Sequence, residues 1–128
     1  MQELRAFLCG EEKLPKEKEI VVSKRFLGED GKPLLWKIKA MKEKEHQKIK
    51  QIQNEEIEKY WGRLCAASVV MPNLEDEKLL ESYQCHDSEE LLKEMLTMGE
   101  YMTLLQAVQE QNQFQQRKEE LKEEVKKP

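Results

Sequence analysis

Residues 20–40, IVVSKRFLGEDGKPLLWKIKA, contain two alternating segments separated by a turn. One side of each segment is mostly apolar: Ile20, Val22, Lys24 and Phe26 in the first, and Leu34, Trp36, Ile38 and Ala40 in the second. Alternation with period two on both sides of a turn containing Asp30-Gly31 and Pro33 predicts a β-hairpin with strands over 20–27 and 34–40. Two strands alone are marginally stable in water, so helices must cover their apolar face.

The sequence after the hairpin predicts two helices before Pro72. Residues 41–53 are helix formers with few apolar side chains, which predicts a polar, exposed helix. Asn54 can cap a second helix, which Pro72 ends. The apolar stripe of that helix repeats at helical spacing: Ile57, Tyr60, Trp61, Leu64, Ala67, Ser68 and Met71.

Three further helices are predicted beyond Pro72. The third begins with Asn73 as its cap, the fourth begins at Asp87 or Ser88 and ends at Gly99, and the fifth follows at once. Their apolar residues are, in chain order, Leu79, Leu80, Tyr83, Leu91, Leu92, Met95, Leu96, Tyr101, Leu104, Leu105 and Val108. A tight corner is therefore expected at Gly99.

The whole pattern predicts a mainly helical α+β fold, in which an N-terminal β-hairpin packs on four to five short helices. Residues 1–109 are expected to form one domain. Residues 110–128 combine a thin apolar stripe with blocks of alternating charge. They predict a charged C-terminal tail that extends the last helix or frays.

The composition restricts the class of function. The 128 residues are 38% hydrophobic and 38% charged, with a net charge of −4, which allows one compact core but lacks the basic excess of nucleic-acid binding proteins. The longest nearly apolar run, 64–71, is far shorter than the ~20 residues of a membrane span. Three cysteines at unpaired spacings predict free thiols and an intracellular protein.

Candidate catalytic and metal-binding residues are few. Cys65, Cys85 and His86 could supply three zinc ligands if folding brought them together, but the paired ligand spacing of zinc sites is missing. Glu55-Glu56 and Glu89-Glu90 lie in the first turns of predicted helices, where carboxylates interact favourably with the helix dipole. We therefore expect no enzymatic activity, no bound metal and no cofactor.

Met95, Met98 and Met102 lie across the junction of the last two predicted helices. Methionines at such positions usually fill a core; the functional interpretation is an adaptable apolar groove for an unfolded or helical client. Basic residues beside Phe26 and Trp36 could bind single-stranded nucleic acid. Aromatic rings that point inward and cations that point outward explain the same pattern more simply.

Short sequence blocks run through residues 4–109 in a specific order and spacing. They are Leu4-Arg5-Ala6-Phe7-Leu8, Ser23-Lys24-Arg25-Phe26, Gly31-Lys32-Pro33, Trp36-Lys37-Ile38-Lys39, Leu64-Cys65-Ala66-Ala67-Ser68-Val69-Val70, Pro72-Asn73-Leu74, Leu80-Glu81-Ser82-Tyr83, Leu91-Leu92-Lys93-Glu94-Met95-Leu96 and Gly99-Glu100-Tyr101, followed by Leu104 and Val108. Together they resemble the tail assembly chaperones of Gram-positive phages and PBSX-like defective prophages. The chain departs from that family at Asn54, where the connection is shorter, and at Gln111-Asn112-Gln113, where the family tends to close with Asn-Gly.

The resemblance implies a non-enzymatic assembly factor in the cytoplasm of the bacterial host. Such a chaperone binds the phage tape measure protein and keeps it soluble while the tail tube assembles. The tail tube protein and further copies of the chain are additional expected partners, whereas nucleic acid and membranes are not. Helical spacing and methionine content place the expected client-binding grooves beside Tyr83, Leu92, Met95, Met98, Tyr101, Met102 and Leu105.

Two other classes of protein stay open at this point. A structural tail component that remains in the finished particle is the main alternative, and mass spectrometry of purified particles distinguishes it from a chaperone. A helical DNA-binding regulator could use the helical pair over 87–109, but the acidic helices make salt-sensitive duplex binding a poor expectation.

Overall fold

The computed structural model describes residues 2–10, 16–50 and 57–112. Within these ranges the chain forms helices and short strands in the following order: α1 (Gln2–Phe7), β1 (Glu17–Ile20), β2 (Trp36–Lys39), α2 (Glu43–Lys50), α3 (Ile57–Ser68), β3 (Val69–Met71), α4 (Glu77–Ser82), α5 (Ser88–Met95) and α6 (Met98–Gln111). The mainly helical α+β fold with an N-terminal hairpin is therefore confirmed.

The strands form a small antiparallel sheet in the order β1-β2-β3. Ile20 pairs with Trp36 in the hairpin, and Ile38 pairs with Val69 on the other side of β2, with an irregularity between Lys37 and Ile38. Because β2 is central, its apolar side chains are covered. Trp36 is 2% exposed and Ile38 is fully buried.

The first strand of the hairpin lies earlier than the alternation predicts, whereas β2 lies within the predicted 34–40. β1 ends at Ile20, where the predicted strand starts, and residues 21–35 form a long connection closed by the Leu27–Pro33 bridge. Val22 and Ser23 are buried outside the sheet. Ser23 reaches Glu100 on α6 by a side-chain hydrogen bond, so tertiary contacts draw this segment away from β2.

The predicted second helix is too long at its C-terminal end. α3 ends at Ser68, and Val69–Met71 form β3 instead of a last helical turn. Two consecutive β-branched residues favour a strand, and the open edge of β2 supplies backbone partners for it. The proposed cap at Asn54, together with Glu55-Glu56, lies outside the described residues.

The caps of the later helices correct two predicted boundaries. Asp76, not Asn73, caps α4 and accepts hydrogen bonds from the amides of Lys78 and Leu79. α5 begins at Ser88, one of the two predicted starts, and Asp87 is its cap. α5 ends at Met95 and Thr97 caps α6, so Gly99 lies inside the first turn of α6 rather than at the end of α5.

The core lies between the sheet and the face that α3, α5 and α6 share. Its buried apolar residues are Val22, Trp36, Ile38, Leu64, Cys65, Leu74, Cys85, Leu91, Leu92, Met95, Leu96, Leu104 and Val108. The polar helix predicted over 41–53 is present as α2, as far as the described residues extend. The predicted tail lies outside them from residue 113 onward.

Candidate functional site

The corner between α5 and α6 is built by two adjacent caps. The amide of Leu96 closes α5 by donating to the carbonyl of Leu92. Thr97 then starts α6 with a reciprocal capping box: its Oγ1 accepts from the amide of Glu100, and the Glu100 carboxylate accepts from the amide of Thr97. Both helix ends are thereby satisfied without a long loop.

Arg25 fastens the hairpin connection to this corner. Its Nη2 donates to the carbonyl of Met95 at 2.7 Å and to Glu100 Oε1 at 2.5 Å, and its Nε donates to Glu100 Oε2 at 3.0 Å. Ser23 Oγ donates to the same Oε2 at 2.5 Å. Hydrogen bonds from Arg25, from Ser23 and from the Thr97 amide hold the pKa of Glu100 well below its usual range.

A shallow apolar groove of about 420 Å³ opens on the outer side of the corner. We call it the α5–α6 groove, and its lining residues are Trp61, Lys93, Leu96, Thr97, Met98, Tyr101, Met102 and Leu105. Met98 is 83% exposed and Met102 is 54% exposed. Two flexible thioethers thus face solvent next to an aromatic wall, which is typical of adaptable binding surfaces.

Tyr101 joins the groove to the core. Burial raises the pKa of Tyr101 to about 12, and burial likewise raises the pKa of Cys65 to about 12. The two side chains share a hydrogen bond. Both groups are therefore neutral at physiological pH, and the wall of the groove carries no charge at this point.

The structure brings together part of the predicted client-binding set. Met98, Tyr101, Met102 and Leu105 line the α5–α6 groove. Leu92 and Met95 are buried in the core, and Tyr83 is partly buried against the core without lining the groove.

Sequence reasoning missed several groove residues. Trp61 belongs to α3, and its helical stripe predicted burial without indicating that α6 would lie beside it. The sequence predicts Leu96 only as part of an apolar stripe and gives no role to Lys93. Thr97 could have been found from the Thr97-x-x-Glu100 spacing, which is the sequence signature of a capping box.

A second hollow of about 610 Å³ lies where α3, β3 and the start of α5 meet. Its lining mixes charges of both signs, from Lys39 and Arg63 to Glu75, Asp87 and Glu89. The α5–α6 groove is therefore the more apolar of these two concave surfaces, because the larger hollow combines charged residues with apolar ones such as Val69, Val70 and Leu74.

Metal-ligand clusters, cysteine pairing and membrane-spanning helices can be assessed within the described ranges. In 2–10, 16–50 and 57–112, no three His, Cys, Asp or Glu side chains are grouped to hold a metal ion. Cys65 and Cys85 are buried free thiols, and Cys9 is an exposed one. Across the same part of the chain, no helix is both long enough and apolar enough to cross a bilayer.

This chain is similar to a family of phage proteins and to two proteins of Bacillus subtilis. Residues 4–126 match the model of the phage XkdN-like tail assembly chaperone protein. The uncharacterized protein YqbN of Bacillus subtilis strain 168 is 28% identical over 138 residues, covering 97% of this chain and 93% of YqbN. The phage-like element PBSX protein XkdN of the same strain is 26% identical over 138 residues, which again cover 97% of this chain and 93% of the relative.

A solved structure supports the relationship at the level of the fold. The crystal structure of the protein YqbN superposes with a TM-score of 0.71 at 25% sequence identity, covering 77% of this chain and 85% of that one. Since the family match spans nearly the whole sequence, this chain belongs to the XkdN-like family of phage tail assembly chaperones.

Proposed function

We propose that this protein binds the tape measure protein of its phage through the α5–α6 groove and keeps that protein soluble while the tail tube assembles. The observation that carries the proposal is the exposure of Met98 and Met102 in a groove with an apolar wall, within a chain of the tail assembly chaperone family. The protein acts without catalysis in the cytoplasm of the bacterial host.

The groove suits a helical client with a recurring apolar stripe. Helix-in-groove recognition places apolar side chains spaced by three or four residues into a cleft between helices. Full burial of one methionine contributes about 1.5–3 kcal/mol, so a single groove binds weakly. A long client with many equivalent apolar stripes binds many copies of this protein at once. The combined affinity of these copies for the client is then high.

A charge introduced into the groove tests the proposal. In the Met98→Glu and Met102→Glu double variant, two carboxylates would be desolvated by an apolar client, so we expect capture of co-expressed tape measure protein to fall about tenfold or more. Affinity capture and the soluble fraction of the tape measure protein are the measurements.

The matched control places the same two charges elsewhere on α6. Thr103 and Gln106 are exposed and do not line the groove, so the Thr103→Glu and Gln106→Glu double variant should capture the client like the unchanged protein. Circular dichroism checks that both variants are folded. Equal capture by the groove variant and the control would show that the proposed site is wrong.

Mass spectrometry of purified particles distinguishes a chaperone from a structural tail component. A chaperone is released before the tail is complete, so the chain should be absent from particles and present in lysates. The tail tube protein is a second expected partner, and co-expression with it in place of the tape measure protein provides a direct comparison.

A further inference from the structure

The segment that joins α5 to α6 forms one side of the α5–α6 groove. Residues 96–98 line the groove and lie between Met95 and Glu100, which both accept hydrogen bonds from Arg25. Solvent surrounds the end of this segment, since Met98 is 83% exposed. The position of the segment is therefore set by its contacts with the rest of the protein, which include the hydrogen bonds of Arg25.

Apolar packing alone does not fix the orientation of this segment. Leu96 is 7% exposed and belongs to the core, but apolar burial is non-directional. The hydrogen bonds of Arg25 are directional, and they reach the backbone of α5 and a side chain of α6 at the same time. Arg25 therefore fixes the start of α6 relative to the end of α5.

The guanidinium of Arg25 is itself held by its neighbours in the hairpin connection. Its Cζ lies 5.1 Å from the centre of the Phe26 ring, and Phe26 packs against the core. Ser23 Oγ accepts from the amide of Arg25 and donates to Glu100. The planar fork of the guanidinium then meets three acceptors, which a lysine ammonium cannot match with the same geometry.

We propose that Arg25 is a positioning residue for client binding, because it joins the end of α5 to the start of α6 and so keeps the α5–α6 groove in the geometry that accepts the client. The inference rests on the proposed function. Arg25 does not line the groove, so it acts through Met95 and Glu100. A groove that is held in its binding geometry beforehand loses less conformational freedom on binding, which increases the affinity for the client.

Arg25→Lys tests the inference because it keeps the positive charge and removes the fork. The measurement is the concentration of this protein that half-saturates immobilised tape measure protein, under conditions in which circular dichroism shows each variant to be folded. We expect Arg25→Lys to raise this concentration about tenfold, through the loss of a prearranged groove. An unchanged concentration would overturn the inference.

Gly31→Ala separates positioning from a general loss of stability. Gly31 has a φ of +78°, so alanine strains the hairpin connection there. The Leu27–Pro33 bridge lies between Gly31 and Arg25, so the contacts of Arg25 should persist in this variant. We expect Gly31→Ala to lower the free energy of unfolding and to leave the half-saturating concentration unchanged. An increase as large as that of Arg25→Lys would overturn the positioning role.

Methionine methyl signals in NMR spectra distinguish positioning from direct contact with the client. Met98 lines the groove together with the rings of Trp61 and Tyr101, and ring currents make its methyl signal sensitive to the shape of the groove. Without client, Arg25→Lys should move the signal of Met98 and leave that of Met71, in β3, unchanged. Weaker client binding with an unmoved Met98 signal would overturn the inference, because Arg25 would then act by contact.

The Met98→Glu and Met102→Glu double variant, measured in the same titration, separates this inference from the proposed function. Loss of client binding by the double variant, together with unchanged binding by Arg25→Lys, would overturn the positioning role alone. Unchanged binding by the double variant would overturn the proposed groove and, with it, the inference that rests on it.

Discussion

Arg25 and Glu100 join parts of the chain that are 75 residues apart in sequence. The guanidinium donates hydrogen bonds to both carboxylate oxygens of Glu100. It also donates to the backbone carbonyl of Met95, the last residue of α5. A bidentate charged pair of this kind has a fixed geometry, which lysine cannot reproduce. The pair therefore fixes the position of the α5–α6 corner, which carries most of the residues that line the groove.

The Glu100 carboxylate makes stability depend on pH in the acidic range. Its folded pKa is lowered from the ordinary value of 4.5, so the folded state binds fewer protons than the unfolded state there. The contribution is fully present above about pH 4.5 and is lost as the pH falls toward the lower folded pKa. We expect Glu100→Gln to destabilise the protein at pH 7 and to have a smaller effect at pH 3.

Urea unfolding at both pH values measures this difference. Glu110→Gln is the control, because Glu110 is an exposed carboxylate on the same helix and accepts a hydrogen bond from the side chain of Gln106. An effect of Glu100→Gln that is equal at pH 7 and pH 3 would contradict the assigned role of the carboxylate.

At the scale of the helix, the caps at Leu96 and Thr97 set the end of α5 and the start of α6, and Gly99 follows inside α6. Gly99 lies in the first turn of α6, and a Cβ added there would meet nothing within 4 Å. Gly99→Ala should therefore stabilise the protein by about 0.5–1 kcal/mol, through helix propensity and a less flexible unfolded chain. If Gly99 were a cap at the end of α5, as the sequence pattern predicts, alanine at this position would instead destabilise the protein.

Gly31 supplies the matched comparison. A Cβ at Gly31 also meets nothing within 4 Å, but its φ is +78°. Gly31→Ala should lower the free energy of unfolding by about 1 kcal/mol because alanine strains that backbone conformation. Thermal and urea unfolding of the two variants give the sign of each change in the free energy of unfolding. Destabilisation by Gly99→Ala would contradict the observed helix boundary.

For the molecule as a whole, Asn112 connects the end of α6 to the segment that follows β2. Its Oδ1 accepts from the amide of Met41 at 2.9 Å, and its Nδ2 donates to the carbonyl of Val108. Gln111 also donates to the carbonyl of Lys16. The end of α6 is thus attached to both sides of the hairpin, slightly beyond the domain boundary expected at 109.

Two truncations test where the folded unit ends. A chain that ends after residue 112 keeps the contacts of Gln111 and Asn112. A chain that ends after 109 loses the contacts of Gln111 and Asn112, and we expect it to lose about 1–2 kcal/mol. Differential scanning calorimetry compares the two, and equal stability of both truncations would show that these contacts contribute little.

Local sequence by itself determined the elements that depend on neighbours along the chain. Alternation predicted a hairpin and the position of its second strand, the residues around Asp87 and Ser88 predicted the start of α5, and helical spacing predicted the burial of Leu104 and Val108. These features follow from short-range geometry, since period and capping are set within a few residues.

Only the tertiary structure decided which apolar face meets which partner. It made Val69–Met71 a strand on β2, placed Trp61 beside α6, and buried Met95 while leaving Met98 exposed. Periodicity indicates that a helix face is apolar but does not indicate which element packs against it. The packing partner depends on residues that are distant in sequence. The network of Ser23, Arg25 and Glu100 could not be predicted from the sequence for the same physical reason.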